Sequence, residues 1–224
     1  MRGSFLLFPL LAMALGGMAQ ASPVVPPPAY NPAVEAPHET AILSGGCFWG
    51  VQGVFEHVKG VEQALSGYIG GTAATAHYEM VSTGTTGQAE SVKVTFDPRL
   101  VSFGQILQIY FAVTANPTEL NYQGPDHGTQ YRGEIWFETP RQKEIATRYI
   151  AQLTAAHVFR APIVTQVAPA MAFYPAETYH QDFLVRHPDN PYIVYNDLPK
   201  IQALHVQFPA LYRADPVTVL KGSS

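Results

Sequence analysis

The chain has 224 residues, a net charge of −4, only 13% charged side chains and a single cysteine. It carries no basic cluster able to track phosphates, which argues against a nucleic-acid partner. One cysteine also excludes an internal disulfide, so the thiol is either buried and inert or free and reactive.

Residues 1–21, "MRGSFLLFPLLAMALGGMAQA", place one positive charge at Arg2 before an apolar run and end on Ala19-Gln20-Ala21. This is the pattern of a secretory signal peptide cleaved after Ala21, and the run is too short for a resident membrane helix. Export to a periplasmic or extracellular setting is expected, with no stable membrane insertion after cleavage. Residues 22–38 hold six prolines and read as an extended tether or an ordered arm. A single domain is expected over residues 39–212, about 170 residues and enough for a sizeable core, followed by a tail at 213–224.

Within the domain, "TAIL" predicts a strand over 40–43, and Phe48, Val51, Phe55 and Val58 then recur at helical spacing. "VEQALSGYIGG" and "AESVKVTF" predict two further strands, the second with Val92, Val94 and Phe96 on one face. Residues 102–113 predict a helix capped by Ser102, and the polar stretch "TANPTELNYQGPDHGTQ" a long functional loop. "YRGEIWF" predicts a strand with Trp136 in the core, Thr139-Pro140 opens a helix reaching about His157, and "PIVTQVA" is a last strand. "ETYHQDFLVRH" predicts a short helix before a proline-rich tail. The mixture without strict alternation implies an α+β fold, a two-layer α/β sandwich with helices packed on a mostly antiparallel mixed sheet.

Cys47 lies in "SGGCFWG", where two glycines end and a helix begins. Unpaired backbone N–H groups and the positive end of the helix dipole at that point favour thiolate over thiol, so a lowered thiol pKa is expected. Gly45 and Gly46 clear the approach, while Phe48 and Trp49 set apolar surface beside the sulfur. Read from spacing alone, an inert core cysteine fits equally well.

"GCFWG" resembles the signature of the class A peptide methionine sulfoxide reductases, and five further segments follow in that family's order. They are "GYIGG" at 67–71, "HYEMVSTGTTGQAE" at 77–90, "VTFDP" at 94–98, "NYQGPDHGTQYR" at 121–132 and "FYPAETYHQDFL" at 173–184. The resemblance implies reduction of methionine (S)-S-oxide, free or in proteins, with Cys47 as nucleophile and Glu90 as proton donor. It also implies that Tyr78, Tyr131 and Asp126 polarise and position the oxide and that Phe48 and Trp49 seat the methyl group. A sulfoxide oxygen leaves only once protonated, so a nucleophile there needs an acid beside it.

Many members of that family carry resolving cysteines that this chain lacks, and Ser82 stands where many have one. By resemblance the chain is a one-cysteine type whose sulfenic acid needs an external thiol, thioredoxin-like, glutaredoxin or glutathione, or another. Oxidised proteins or peptides and a thiol/disulfide reductant protein are the expected partners. No metal or other cofactor is expected, and the protein is expected to be a monomer. Gln88 and Gly133 depart from the family's usual histidine and serine. Two rival readings remain open at this level: a cysteine hydrolase or acyltransferase activated by His57, His77, His127 or His180, and an exported binding domain with an inert thiol.

Overall fold

The computed structural model describes residues 24–220; the signal-peptide expectation at 1–21 lies outside them. Strand β1 (Glu39–Ser44) leads through Gly45 and Gly46 into helix α1 (Phe48–Glu56), and β2 (Val61–Ile69) returns. A short helix α2 (Tyr78–Val81) precedes β3 (Ala89–Phe96). Helix α3 (Phe103–Ile109) is closed at its start by a reciprocal capping box between Ser102 and Gln105. It stops four residues short of the predicted end, where a π-turn over Tyr110–Thr114 takes over.

The polar stretch contains a small hairpin, β4 (Tyr122–Gln123) and β5 (Asp126–His127). Strand β6 (Glu134–Phe137), helix α4 (Pro140–Ala155) with Thr139 as its cap, and β7 (Gln166–Pro169) follow. Strand β8 (Tyr174–Pro175) and helices α5 (Phe183–Arg186) and α6 (Leu198–Gln207) complete the described chain. Helix α6 occupies what the sequence reading took for a proline-rich tail. Pro199 sits in its first turn, where proline breaks no intrahelical hydrogen bond.

The sheet runs β7-β6-β1-β3-β2-β8, antiparallel except for the β6–β7 pair. Alternation along the strands sorts the faces: Ala41, Leu43, Val92, Val94 and Phe96 point into one core with Phe55, Ile106 and Tyr149. Ile42, Ile69 and Trp136 form a smaller cluster on the other face, where the Trp136 indole N–H donates to Ser44 Oγ at 2.8 Å. Among the described residues no helix is long and apolar enough to cross a membrane.

The described part of the proline-rich arm packs on the helical layer. Its carbonyls accept side-chain donors: Val25 O from Gln108 Nε2 at 2.8 Å, Pro26 O from Tyr149 Oη at 2.6 Å, and Pro27 O from Gln152 Nε2 at 2.9 Å. Prolines suit that role because they bring acceptors and no N–H that must itself be satisfied. At the other end the chain straps the C-terminus of α1. Val217 N donates to Glu56 O, and the N–H groups of Val219 and Leu220 donate to the buried Asp182 carboxylate.

Candidate active site

Strand period and helix start together build the site. Glu90 lies on β3 two residues before Val92, so its side chain faces α1, opposite Tyr68 of β2. Cys47 is the residue immediately before α1, and the first helical N–H, from Phe48, donates to Glu90 Oε2 at 3.0 Å. The β1–α1 turn depends on Gly46, whose φ is +90° and whose hydrogen faces Gln123; a Cβ there would lie 2.7 Å from Gln123 Cβ.

The helix start does not lower the thiol pKa, contrary to the sequence expectation. Burial pushes Cys47 well above its ordinary value, the Glu90 and Asp197 carboxylates add to this, and the Trp49 backbone N–H offsets only part. The physical reason is first the burial of the sulfur, which penalises its anion; the Phe48 N–H, moreover, serves Glu90 and not the thiol. Burial also drives the Glu90 carboxyl from 4.5 up to about 8, against the pull of the Phe48 N–H and with a further push from Asp126. Glu90 is therefore mostly neutral at pH 7.

Tyr78 opens α2, with its backbone N–H donating to Glu177 Oε1 at 2.9 Å. Tyr131 ends the short 3-10 turn Thr129–Tyr131. Both phenols are raised by burial first and then by the charges of Glu90, Cys47 and Asp126, so the structure gathers all five groups in one electrostatic neighbourhood. Asp126 is held on the β4–β5 hairpin and accepts a short hydrogen bond from Tyr192 Oη. Phe48 is 1% exposed, its ring 5.7 Å from Tyr68 and 5.0 Å from His180. Trp49 stacks on Phe183 at 3.7 Å, meets Tyr192 edge-on at 5.9 Å, and donates its indole N–H to His180 Nδ1 at 3.0 Å.

A cleft of about 850 Å³ opens beside Cys47, walled by Asp126, Phe159, Tyr192, Asn196 and Lys200 among others. Asp197, buried and paired with Lys200 at 3.0 Å, fixes how α6 meets α1: a Cβ on Gly50 would lie 2.0 Å from its Oδ1. Tyr192, Phe183 and Asp197 were not singled out as site residues from the sequence, and His180 only as a candidate base of the hydrolase reading. They lie more than 130 positions from Cys47, and only the fold brings them to the site.

Of the four histidine candidates of the hydrolase reading, His180 lies in the site but accepts the Trp49 indole N–H through Nδ1, and the other three are engaged elsewhere. His57 Nδ1 bonds Gly53 O at 2.7 Å at the far end of α1, His77 pairs with Glu79, and His127 stacks on Tyr122. Among the described residues no histidine hydrogen-bonds Cys47.

Residues 39–210 match the family model described as peptide methionine sulfoxide reductase. The chain belongs to that family. A Mesorhizobium japonicum relative, peptide methionine sulfoxide reductase MsrA 2, is 60% identical over 83% of this chain and 95% of its own length. A Synechocystis relative of the same name is 45% identical over 88% and 95%. Among solved structures, methionine sulfoxide reductase A of Corynebacterium diphtheriae aligns with a TM-score of 0.58 at 32% identity, over 75% of this chain and 86% of that one. Reduced Mxr1 from Saccharomyces cerevisiae gives 0.63 at 25% identity, over 72% and 92%. Reduction of methionine sulfoxide and repair of oxidised proteins is thus the activity of this chain, and neither the hydrolase nor the inert-domain reading is favoured.

Proposed function

We propose that Cys47 attacks the sulfoxide while Glu90 delivers a proton to its oxygen, with the S epimer as substrate. The observation that carries this is a buried, mostly neutral carboxyl tied to the first N–H of the helix that presents the thiol. As the oxygen is transferred, the substrate S–O bond breaks, methionine leaves, and Cys47 becomes a sulfenic acid; the carboxylate left on Glu90 takes up the thiol's proton. Tyr78 and Tyr131 donate toward the oxygen as charge develops, and Asp126, oriented by Tyr192, supports them. Trp49, beside Phe48, seats the methyl group against an aromatic face.

Regeneration needs a partner from outside the chain, because Cys47 is the only cysteine. One external thiol attacks the sulfenic sulfur, forming a mixed disulfide and releasing water; a second thiol frees Cys47 and leaves as a disulfide. The apolar run and Ala19-Gln20-Ala21 support an exported enzyme acting on proteins oxidised outside the cytoplasm. The test is turnover of separated R and S methionine sulfoxide by the full domain with a small dithiol. Reduction of S alone, abolished by Cys47→Ser, is expected; turnover of R alone, or turnover that survives Cys47→Ser, refutes the reading.

A further inference from the structure

The cleft of about 850 Å³ beside Cys47 has the volume of a site for a ligand of many atoms, and a methyl sulfoxide would fill only a small part of it. It meets the groups assigned to the oxide at Cys47 and Asp126 alone: Glu90, Tyr78, Tyr131, Phe48 and Trp49 do not line it. Its floor is the glycine turn before the thiol. A Cβ on Gly45 would lie 2.8 Å from Ala115 Cβ and one on Gly46 2.7 Å from Gln123 Cβ, and Ala115 and Gln123 are both wall residues. Two cations, Lys200 and Arg160, stand on the walls. Lys200 Nζ pairs with Asp197 at 3.0 Å and would lie 3.0 Å from a Cβ on Gly50, one helical turn from Cys47. Arg160 is exposed, and its guanidinium has neither a hydrogen bond nor an ion pair among the described residues. The wall carboxylates are already served, Asp126 by the Tyr192 hydroxyl and Glu119 by Asn116 Nδ2 and the Gly124 N–H, both at 2.9 Å. The charge left without a partner is positive.

We propose that this cleft is a docking site for the regenerating thiol, separate from the oxide pocket, and that its occupant is a small thiol bearing carboxylate groups, held by Arg160 and Lys200 while its sulfur reaches Cys47. The chemistry favours such a second approach. Displacement at sulfur is in line, so a thiolate that expels the sulfenic oxygen arrives from the side opposite it, and that oxygen lies with Glu90, Tyr78 and Tyr131. The donor's thiolate forms the S–S bond as the S–O bond breaks. The oxygen leaves as water on the Glu90 proton, and the proton shed by the donor returns to Glu90. A second donor molecule then forms the small disulfide and leaves its proton on Cys47, so two thiols are oxidised as the sulfenic sulfur is reduced. A carboxylate on the donor gains a charge-assisted bond at Arg160 that an uncharged thiol cannot make.

The inference rests on the sulfenic acid cycle proposed above, and one readout tests that cycle alone: a dimedone adduct on Cys47 after a single turnover without donor. No adduct refutes the cycle. With the adduct seen, the donor site stands or falls on the steady-state KM for glutathione, its diethyl ester and uncharged dithiothreitol. Glutathione should have a lower KM than its ester. Arg160→Ala should raise the glutathione KM about fivefold, the scale of one partly exposed ion pair, and Arg160→Glu about tenfold, with much smaller changes for the ester and dithiothreitol. Arg160→Lys keeps the charge and should recover most of the loss. None of these substitutions removes a hydrogen bond or ion pair from the folded chain. S-methylglutathione, which keeps the carboxylates but has no free thiol, should compete with glutathione and not with the sulfoxide. A glutathione-to-ester KM ratio that Arg160→Glu leaves unchanged, or competition of S-methylglutathione with the sulfoxide, overturns the inference.

Discussion

Glu90→Gln separates the chemical and energetic consequences of a neutral buried carboxyl. Glutamine keeps an oxygen for the Phe48 N–H but cannot donate a carboxyl proton. Single-turnover formation of methionine should slow by about 10²–10⁴-fold, the usual worth of a positioned acid. The stability prediction has the opposite sign. The folded pKa, about 8, lies above the unfolded value near 4.5, so this group's favourable contribution is full below pH 4.5 and is lost as pH rises toward 8. Between pH 5 and pH 8 the loss amounts to about 3 kcal/mol. Glutamine does not titrate, so urea unfolding of both proteins at the two pH values should show the variant gaining about 3 kcal/mol on wild type between them. Glu56, raised by burial to about 10, adds a similar slope to both proteins and cancels in the difference. An unchanged single-turnover rate removes Glu90 as donor, and a pH-independent stability difference shows that its carboxyl is already ionised near neutrality.

Alkylation of substrate-free Cys47 by iodoacetamide should be slow at about pH 7 and should accelerate only as pH approaches the alkaline range, because burial and Glu90 raise its pKa; fast, pH-independent alkylation contradicts this. Gly46→Ala forces a side chain into φ +90° and against Gln123, which should cost at least 1–2 kcal/mol and lower Tm by several degrees in thermal unfolding; an unshifted Tm contradicts it. Tyr192→Phe leaves Asp126 without its phenol donor and should reduce kcat/KM about tenfold with little change in fold by circular dichroism. Tyr149→Phe deletes the bond to Pro26 O and should cost about 1 kcal/mol and speed proteolysis of the arm, read by timed digestion.

The parts of this fold legible in the sequence are those whose period is local. Val92, Val94 and Phe96 alternate onto one face, Ser102 and Thr139 cap the helices they were expected to cap, and Trp136 is buried in the strand that predicted it. Helix α6 was not legible, because Pro199 reads as a breaker unless its place in the first turn is known. The ordered arm was ambiguous for a related reason: its stability comes from Gln108, Tyr149 and Gln152, all at least 80 positions away. At the site, the chain order of motifs pointed to Cys47, Glu90, Tyr78, Tyr131 and Asp126. The direction of the thiol's pKa was misread because burial and the carboxylates gathered around the sulfur by the tertiary fold outweigh the helix start, and neither shows in the local sequence.

That misreading changes how the proposed cycle works. Asp126 raises Glu90, and Glu90 and Asp126 both raise Cys47, so in this buried cluster each anion opposes the formation of another. The resting site accordingly keeps both protons, on sulfur and on Glu90. A neutral sulfoxide is well matched to such a site: the Glu90 proton passes to the oxide, the thiol proton replaces it, and the transferred hydroxyl leaves Cys47 as an uncharged sulfenic acid. The cluster's net charge is the same before and after the step, so the low-dielectric surroundings that suppress the free thiolate do not oppose completed oxygen transfer. A low-pKa cysteine would carry its anion, and its exposure to oxidants, throughout the resting state. Here the reactive anion is needed only transiently, beside a substrate that consumes its charge.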